Sequence, residues 1–339
     1  MKAVMLVGGF GTRLRPLTET IKKELLPLVD RPILDHEMDH LLRHGIDEVV
    51  MSSPYLEEAF HPFIAARHDE PAITWITESE PLGTGGAIVN ALPAVGDEPF
   101  FALNGDILTD IDLTAMLAFH RERGAAVTIA LHHVEDARAF GLVATDADGR
   151  VEEFREKPED LMPGDVNAGT YLLDPAVLRE WTPDHAISIE REIFPAVIAA
   201  GHAVYGFPGN CYWMDLGTPE KYLQAHFDLL AGQMRDVEYE APWVAATADV
   251  EPGAIIGRRS SVGAEARVGP GATVEDSVIH PGASIGADAT VWMTIVGPGA
   301  HVGENAQVTG SVLGAGARVA EGLVVTDTKV ATDAEAPSS

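Results

Sequence analysis

The last quarter of the chain carries an internal repeat, and this repeat restricts the possible folds more than any other feature of the sequence. Apolar residues recur there with spacings of six, six and five, which gives a period of seventeen residues. The predicted inward positions are Val268, Val274, Ile279, Ile285, Val291, Val296, Val302, Val308, Leu313, Val319 and Val325. Three aliphatic side chains per turn, with small residues at the corners, predict a triangular parallel β-solenoid over residues 251–330.

A different pattern occupies residues 1–231. Short apolar runs alternate there with amphipathic segments, which predicts βαβ units and an α/β domain with a mixed, mostly parallel, Rossmann-like sheet. Residues 232–250 are irregular and include Pro242, so we predict a linker between the two domains. Residues 331–339 are polar, and we expect them to form a mobile tail.

A glycine-rich segment follows the first apolar run, Ala3–Val7. Its sequence is Gly8-Gly9-Phe10-Gly11-Thr12-Arg13, and Lys22 and Lys23 come shortly after it. Successive backbone N–H groups in such a loop form a concavity that accepts phosphate oxygens. The Walker and dinucleotide patterns both fail here, because Gly-Lys-Ser/Thr and the third glycine with its distant acidic residue are missing.

Composition excludes several other classes of protein. The net charge of −29 argues against nucleic-acid binding, and no apolar run is long enough to span a membrane. The single cysteine, Cys211, excludes an intramolecular disulfide, and the chain enters a predicted strand at once without a signal peptide. We therefore expect a cytoplasmic protein in which the basic loop concentrates positive charge for a polyanionic ligand.

The glycine-rich segment resembles the signature of the sugar-phosphate nucleotidylyltransferases. That signature reads Gly-Gly-x-Gly-Thr-Arg-Leu-x-Pro-Leu-Thr, followed by Pro-Lys-x-Leu-Leu-Pro. One departure is visible, because Lys22 stands in place of the proline, whereas Lys23 stays in register. The C-terminal repeat is similar to the hexapeptide repeats of left-handed β-helices, shortened by one residue per coil.

The resemblance implies roles for residues of the N-terminal half. Arg13 would stabilise the departing phosphates, Lys23 would contact the sugar phosphate or the α-phosphate, and Asp106 and Asp215 would hold Mg²⁺. The implied nucleotide-binding residues are Leu6, Gly8, Gly9, Gly11, Thr12, Glu78, Gly83, Thr84 and Gly105. The motifs Glu-Lys-Pro and Asn-x-Gly-x-Tyr imply the sugar-binding residues Gly141, Glu156, Lys157, Asn167 and Gly169.

The base is suggested by the segment Glu78-Ser-Glu-Pro-Leu-Gly-Thr84. A carboxylate accepts two parallel hydrogen bonds, and guanine offers N1–H and N2–H side by side. Glu78 therefore favours guanine, and the segment looks most like that of guanylyl-transferring members, mannose-1-phosphate guanylyltransferases among them. Some uridylyl-transferring relatives also carry glutamates in this loop, so uracil or thymine stays open.

The implied reaction joins an NTP, favoured as GTP, to a sugar 1-phosphate, favoured as mannose 1-phosphate, and releases pyrophosphate. The nucleophile is an anionic phosphate oxygen, so no general base is needed and catalysis is positioning and electrostatics. Uridylyl or thymidylyl transfer to glucose 1-phosphate or another sugar 1-phosphate is one alternative. Two further alternatives are a regulatory subunit that binds an NDP-sugar without activity, and an acyltransferase function in the solenoid. We expect the solenoid to serve homo-oligomer assembly.

Overall fold

The computed structural model describes residues 1–54, 57–67 and 70–337. Contacts within the chain divide it into two compact units. Unit 1 comprises Met1–Gly9 and Glu37–Trp213, and unit 2 comprises Phe10–His36 and Met214–Ser339. The division therefore falls inside the glycine-rich segment, so that Gly8 and Gly9 belong to the first unit and Gly11 to the second.

Unit 1 is built on a mixed sheet of nine strands within the described residues. The strands are β1 Lys2–Leu6, β2 Glu48–Ser53, β3 Ala72–Thr77, β4 Phe100–Asn104, β5 Val127–Val134, β6 Gly141–Thr145, β7 Val151–Glu156, β8 Gly164–Leu173 and β9 Val204–Pro208. Their order is β7-β6-β8-β4-β1-β2-β3, and β5 pairs with both β8 and β9. This confirms the predicted α/β class.

The parallel part of the sheet is the buried centre of unit 1. β1 runs parallel to β2 and β4, and β2 runs parallel to β3. Ala3, Val4 and Met5 of β1 are all fully buried, as expected for a strand that is covered on both faces. β8 is antiparallel to β4, β5 and β6 and so joins the parallel centre to the outer strands.

The chain forms helices in both units. They are α1 Ile33–Arg43, α2 His61–Ala66, α3 Gly83–Val95, α4 Leu113–Arg123, α5 Phe194–Ala199 and α6 Pro219–Leu230. A π-helix, Ile189–Ile193, leads directly into α5. Asp112 and Thr218 cap α4 and α6 with their side chains, because each accepts a hydrogen bond from a backbone N–H of the first turn. No helix of the described residues is long and apolar enough to cross a membrane.

Unit 2 contains a parallel β-helix whose coils stack as three ladders. The first ladder is Trp243–Val244, Ser261–Val262, Val278–Ile279, Ile295–Val296, Val312–Leu313 and Lys329–Val330. The second is Asp249–Val250, Arg267–Val268, Ser284–Ile285, His301–Val302 and Arg318–Val319. The third is Ile255–Ile256, Thr273–Glu275, Thr290–Trp292, Gln307–Thr309 and Val324–Thr326. Parallel ladders with these aliphatic residues inside confirm the predicted solenoid.

The predicted inward positions form the core of this β-helix. Val268, Val291 and Leu313 are fully buried, and the other predicted positions are exposed by at most 3%. The coils start earlier than the predicted boundary at residue 251, because Trp243 already pairs with Ser261. They also run into the predicted tail, where Ala336 donates a backbone hydrogen bond to Arg318 and is buried. Ser338 and Ser339 lie outside the described residues.

Candidate functional site

In unit 1, the predicted nucleotide-binding residues follow the carboxyl ends of neighbouring parallel strands. Leu6 at the end of β1 is in register with Asn104 of β4 and Ser52 of β2. Gly8 continues from β1, Gly105 and Asp106 continue from β4, and Glu78 continues from β3. Ligands of open α/β sheets bind at this edge, so the fold gathers these residues where binding chemistry is expected.

Two glycines are required by close approach between these strand ends. A Cβ on Gly8 would lie 2.8 Å from Cδ of Pro54, and one on Gly105 would lie 3.0 Å from the carbonyl oxygen of Leu6. The N–H of Gly105 donates to that same oxygen at 3.0 Å. A larger residue at Gly8 would therefore push the segments after β1 and β2 apart, and one at Gly105 would push apart the ends of β1 and β4.

The side chain of Glu78 is buried and held by its own loop. Its Oε1 accepts a hydrogen bond from Oγ of Ser52 and its Oε2 accepts one from the N–H of Leu82, both at 2.9 Å. Each carboxylate oxygen retains a further acceptor site, so the group keeps capacity for a ligand. The sequence did not reveal the partner Ser52, because that residue lies on a different strand.

The glycines that follow Glu78 allow α3 to pack tightly against a neighbouring segment. Gly83 has φ of +71°, and a Cβ there would lie 2.6 Å from the carbonyl oxygen of Ile187. The N–H groups of Gly85 and Gly86 donate to this oxygen. The hydroxyl of Thr84, a predicted nucleotide-binding residue, donates to Oε2 of Glu190 at 2.8 Å.

The predicted sugar-binding residues lie in β6, at the end of β7 and directly after it, and at an irregularity in β8. Glu156 and Gly141 are cross-strand partners, and the register of β8 against β5 shifts after Asn167. Gly169 lies at this bulge with φ of +72°. A bulge redirects the side chains next to it, and Asn167 is the last regularly paired residue before this one.

A hydrogen-bond network joins this bulge to the loop of Thr84. Oδ1 of Asn167 accepts from the N–H of Gly169 at 2.9 Å, and its Nδ2 donates to the hydroxyl of Tyr171 at 2.8 Å. Tyr171 is fully buried. This burial is the main cause that raises the pKa of its hydroxyl group, and the nearby charge of Glu190 is the second. Glu190, which sequence reasoning assigned no role, also accepts from Oγ of Ser188 at 2.8 Å.

Lys157 holds an uncommon backbone conformation. Its φ is +51°, its N–H donates to the carbonyl of Phe140, and its side chain is largely exposed. Nζ of Lys157 lies 3.5 Å from Oε1 of Glu156. Left-handed conformations of residues other than glycine are costly and occur often at functional sites, which is consistent with the predicted role of Lys157.

In unit 2, the glycine-rich segment folds back on itself. The hydroxyl of Thr18 donates to the carbonyl of Gly11 at 2.7 Å, and Gly11 has φ of +61°. A Cβ on Gly11 would lie 3.4 Å from Cβ of Lys23. Thr12 and Arg13 form a short 3₁₀-helix with Leu14. The loop therefore places Lys23 beside Gly11, although twelve positions separate them in the sequence.

Arg13 and Asp215 both approach Gly217, in the turn before α6. A Cβ on Gly217 would lie 2.5 Å from Nη2 of Arg13 and 3.1 Å from Oδ1 of Asp215. Nζ of Lys221 lies 3.1 Å from Oδ2 of Asp215. Sequence reasoning missed Lys221, which reaches back to Asp215 only because the cap at Thr218 starts a helix between them.

The two predicted metal ligands have the chemistry that Mg²⁺ requires. Asp106 belongs to unit 1 and Asp215 to unit 2. Two effects raise the pKa of the buried carboxyl group of Glu37. The larger is its burial, and the second is the nearby negative charge of Asp106. No cluster of three or more His, Cys, Asp or Glu side chains that would hold a metal occurs in the described parts of the chain. Mg²⁺ commonly uses one or two carboxylates and completes its shell with phosphates and water, so each of these side chains is of a type that Mg²⁺ binds.

Comparisons with known proteins agree with the two parts of the chain. Residues 2–232 match the family described as Nucleotidyl transferase, and residues 239–337 match the GMPPB C-terminal domain. A mannose-1-phosphate guanylyltransferase of Mycobacterium tuberculosis is 39% identical over 290 residues, which cover 83% of this chain and 80% of that protein. Mannose-1-phosphate guanylyltransferase 1 of Arabidopsis thaliana is 37% identical over 82% of this chain and 79% of its own length.

Solved structures are similar over about two thirds of the chain. HddC from Yersinia pseudotuberculosis, complexed with GMP-PN, has a TM-score of 0.57 and 27% sequence identity. The similarity covers 66% of this chain and 97% of HddC. Together with the family matches and the residues at the strand ends, this identifies the chain as a member of the nucleotidyl transferase family.

Proposed function

We propose that this protein is a mannose-1-phosphate guanylyltransferase that joins GTP and mannose 1-phosphate to give GDP-mannose and pyrophosphate. The observation that carries the proposal is the signature from Gly8 to Lys23, which departs from its pattern only at Lys22. It stands in a chain that is similar, over most of its length, to proteins named for this activity. A regulatory subunit without activity is disfavoured, because mere binding does not require Arg13, Lys23, Asp106 and Asp215 to be retained together.

The charges of the reacting phosphate groups determine the roles of the catalytic residues. The attacking phosphate oxygen of mannose 1-phosphate is already anionic, so the protein supplies no general base. Negative charge grows on the departing pyrophosphate, and the guanidinium of Arg13 stabilises it. Lys23 contacts the sugar phosphate or the α-phosphate. The backbone N–H groups of the loop Gly8–Gly11, with Thr12, bind the nucleotide phosphates.

Mg²⁺ is the metal ion that the carboxylates of Asp106 and Asp215 would hold. When bound, it neutralises phosphate charge and orients the two substrates. Oδ2 of Asp215 forms an ion pair with Nζ of Lys221 at 3.1 Å. Lys221 fixes the carboxylate at the start of α6.

Substrate choice belongs to residues of unit 1. The buried carboxylate of Glu78 reads guanine through N1–H and N2–H, and the loop of Gly83 and Thr84 contacts the base. Glu156 and Asn167 bind hydroxyl groups of the sugar. Gly141 and Gly169 supply backbone contacts, and Lys157 meets a phosphate. The hydrogen bonds that already hold Glu78 and Asn167 support these roles, because they preorganise both side chains.

Self-association is part of the proposal, and the third ladder of the β-helix is the surface we assign to it. Its outward residues are Ile255, Thr273, Glu275, Thr290, Trp292, Gln307, Thr309, Val324 and Thr326. Glu275 alone among them is charged, although the net charge of the chain is −29. Two copies with the same charge repel least across such a face.

We also expect a cytoplasmic location, where a single cysteine stays reduced.

The test is pyrophosphate release with Mg²⁺ across the four NTPs and several sugar 1-phosphates, each with and without EDTA. We expect the highest kcat/KM for GTP with mannose 1-phosphate and no release with EDTA. A maximum with UTP or dTTP would keep the chemistry and refute the role of Glu78. Absence of release in every combination, with a folded protein, would refute the proposed function in favour of the regulatory subunit.

A further inference from the structure

Within unit 2, the segment Phe10–His36 packs onto the β-helix. Residues Phe10–His36, which include Arg13 and Lys23, group with Met214–Ser339 rather than with the sheet. The first ladder supports the same conclusion, because its outward residues Val278, Ile295 and Val312 are buried whereas those of the third ladder are exposed. The β-helix therefore contributes more than an assembly surface.

The first contact between the segment Phe10–His36 and the β-helix is made by Tyr222 of α6. Its hydroxyl donates to the carbonyl of Pro27, four residues after Lys23, and accepts from Nε2 of His280 at 2.9 Å. Tyr222 and His280 are both almost completely buried. Burial lowers the pKa of His280 to about 4, so the imidazole stays neutral at physiological pH. One turn later in α6, His226 bonds Ser261 of the first ladder at 3.2 Å.

The second contact lies at the other end of the segment. Oε2 of Glu19 accepts a hydrogen bond from the N–H of Thr332 at 3.1 Å, and hydrogen bonding to the side chain and then to the backbone of Thr332 lowers the pKa of Glu19. Nearby, a Cβ on Gly314 would lie 3.1 Å from Cβ of Pro16. Glu19 and Pro27 lie on either side of Lys23 along the chain, so the β-helix holds the lysine from both sides.

We infer that the β-helix positions Lys23 and Arg13 for catalysis, with Tyr222, His280 and Glu19 as positioning residues. The inference rests on the proposed function. A loop fixed only by its glycines would move, and displacement of a reacting group by about 1 Å lowers turnover by up to about 100-fold. The two contacts prevent this displacement without touching the substrates.

Steady-state kinetics of single variants tests the inference. Tyr222→Phe removes only a hydroxyl, and we expect kcat to fall about tenfold while KM for GTP and mannose 1-phosphate changes less than about twofold. His280→Leu should match it, and His280→Gln should restore most of kcat because its amide reaches the same hydroxyl. Glu19→Ala should lower kcat and Glu19→Gln should not, because glutamine keeps the acceptor for Thr332.

A matched control separates positioning from general damage to the β-helix. His301→Leu makes the same substitution on the second ladder, where the imidazole is exposed and bonds Ser284 within the β-helix. We expect it to keep wild-type kcat. Thermal midpoints are measured for every variant, and kcat is compared well below them. Glu19→Ala changes an exposed side chain and leaves the buried core intact, so it tests the inference even where His280→Leu unfolds.

Each outcome has a distinct meaning. Values of kcat within twofold of wild type for Tyr222→Phe and Glu19→Ala would overturn the inference while the proposed function stands. Equal rises in KM for both substrates with unchanged kcat would also overturn it, because they indicate a role in ground-state binding. An inactive wild-type chain would refute the proposed function and this inference with it.

Discussion

At the scale of single residues, the sharpest prediction concerns Lys23. Its ammonium acts on phosphate charge that develops during transfer, so Lys23→Ala should lower kcat by about 100-fold or more with little change in the thermal midpoint. Pyrophosphate release under saturating substrates measures the effect. Lys329→Ala makes the same substitution at an exposed lysine of the β-helix and should turn over normally. Normal turnover in Lys23→Ala would refute the assigned mechanism.

A second prediction at the scale of residues concerns Glu190, and only the structure supports it. Glu190→Ala removes the acceptor of Thr84 and Ser188 and the charge beside Tyr171, which orients Asn167. Loss of one such hydrogen bond costs about 1 kcal/mol, so KM for mannose 1-phosphate should rise about five- to tenfold.

The neighbour of Glu190 provides the control. Glu192→Ala removes a bond to the N–H of Ser188 on the same π-helix but leaves the network to Asn167 intact. We expect this variant to keep the wild-type KM. Equal KM values in Glu190→Ala and wild type would show that the network does not orient the sugar site.

The contrast between Lys23 and Glu190 shows what the sequence reveals at this scale. Lys23 was assigned because its distance from the glycines is fixed within one local motif. Thr84, one partner of Glu190, lies about a hundred positions away, and no spacing in the sequence indicates it. The same holds for Ser52 beside Glu78. Local motifs can be predicted from the sequence, whereas contacts between strands depend on the folded topology.

At the scale of elements, the β-helix corners allow a stability prediction. Asp276, Met293, Gly310 and Asp327 occupy equivalent corners one coil apart, and all have positive φ. Gly and Asp tolerate this conformation, whereas a methionine there costs about 1 kcal/mol. Met293→Asn should therefore stabilise the protein by about 0.5–1 kcal/mol, measured from the midpoint of chemical denaturation.

Thr290→Asn serves as the comparison for this variant. Thr290 lies in the adjacent strand of the third ladder, where the backbone is extended and asparagine offers no advantage. We expect no stabilisation there. A midpoint for Met293→Asn at or below that of Thr290→Asn would contradict the argument from positive φ.

The sequence predicted the elements of the β-helix better than their boundaries. The period of seventeen identified the inward residues, because each coil repeats the same burial requirement. It did not reveal the first coil, in which Trp243 pairs with Ser261 across eighteen positions rather than seventeen. That coil contains an extra residue, so its pattern is out of phase with the rest although its pairing is regular.

At the scale of the whole molecule, net charge and the faces of the β-helix together predict how copies meet. A surface with one charged residue among nine is unusual on a chain with a net charge of −29. It also carries Ile255, Trp292 and Val324, three of the large exposed hydrophobic residues of the described structure. The sequence predicted association through this domain, but only the ladder register shows that these side chains share one face.

Trp292→Glu tests this face directly. The substitution adds a negative charge at its centre, and we expect the oligomer to dissociate to single chains because like charges then oppose each other across the interface. Light scattering coupled to gel filtration measures the mass. Ser284→Glu adds the same charge on the second ladder and should leave the oligomer intact. A wild-type chain that elutes as a monomer, or an oligomer that survives Trp292→Glu, would show that copies do not meet through the third ladder.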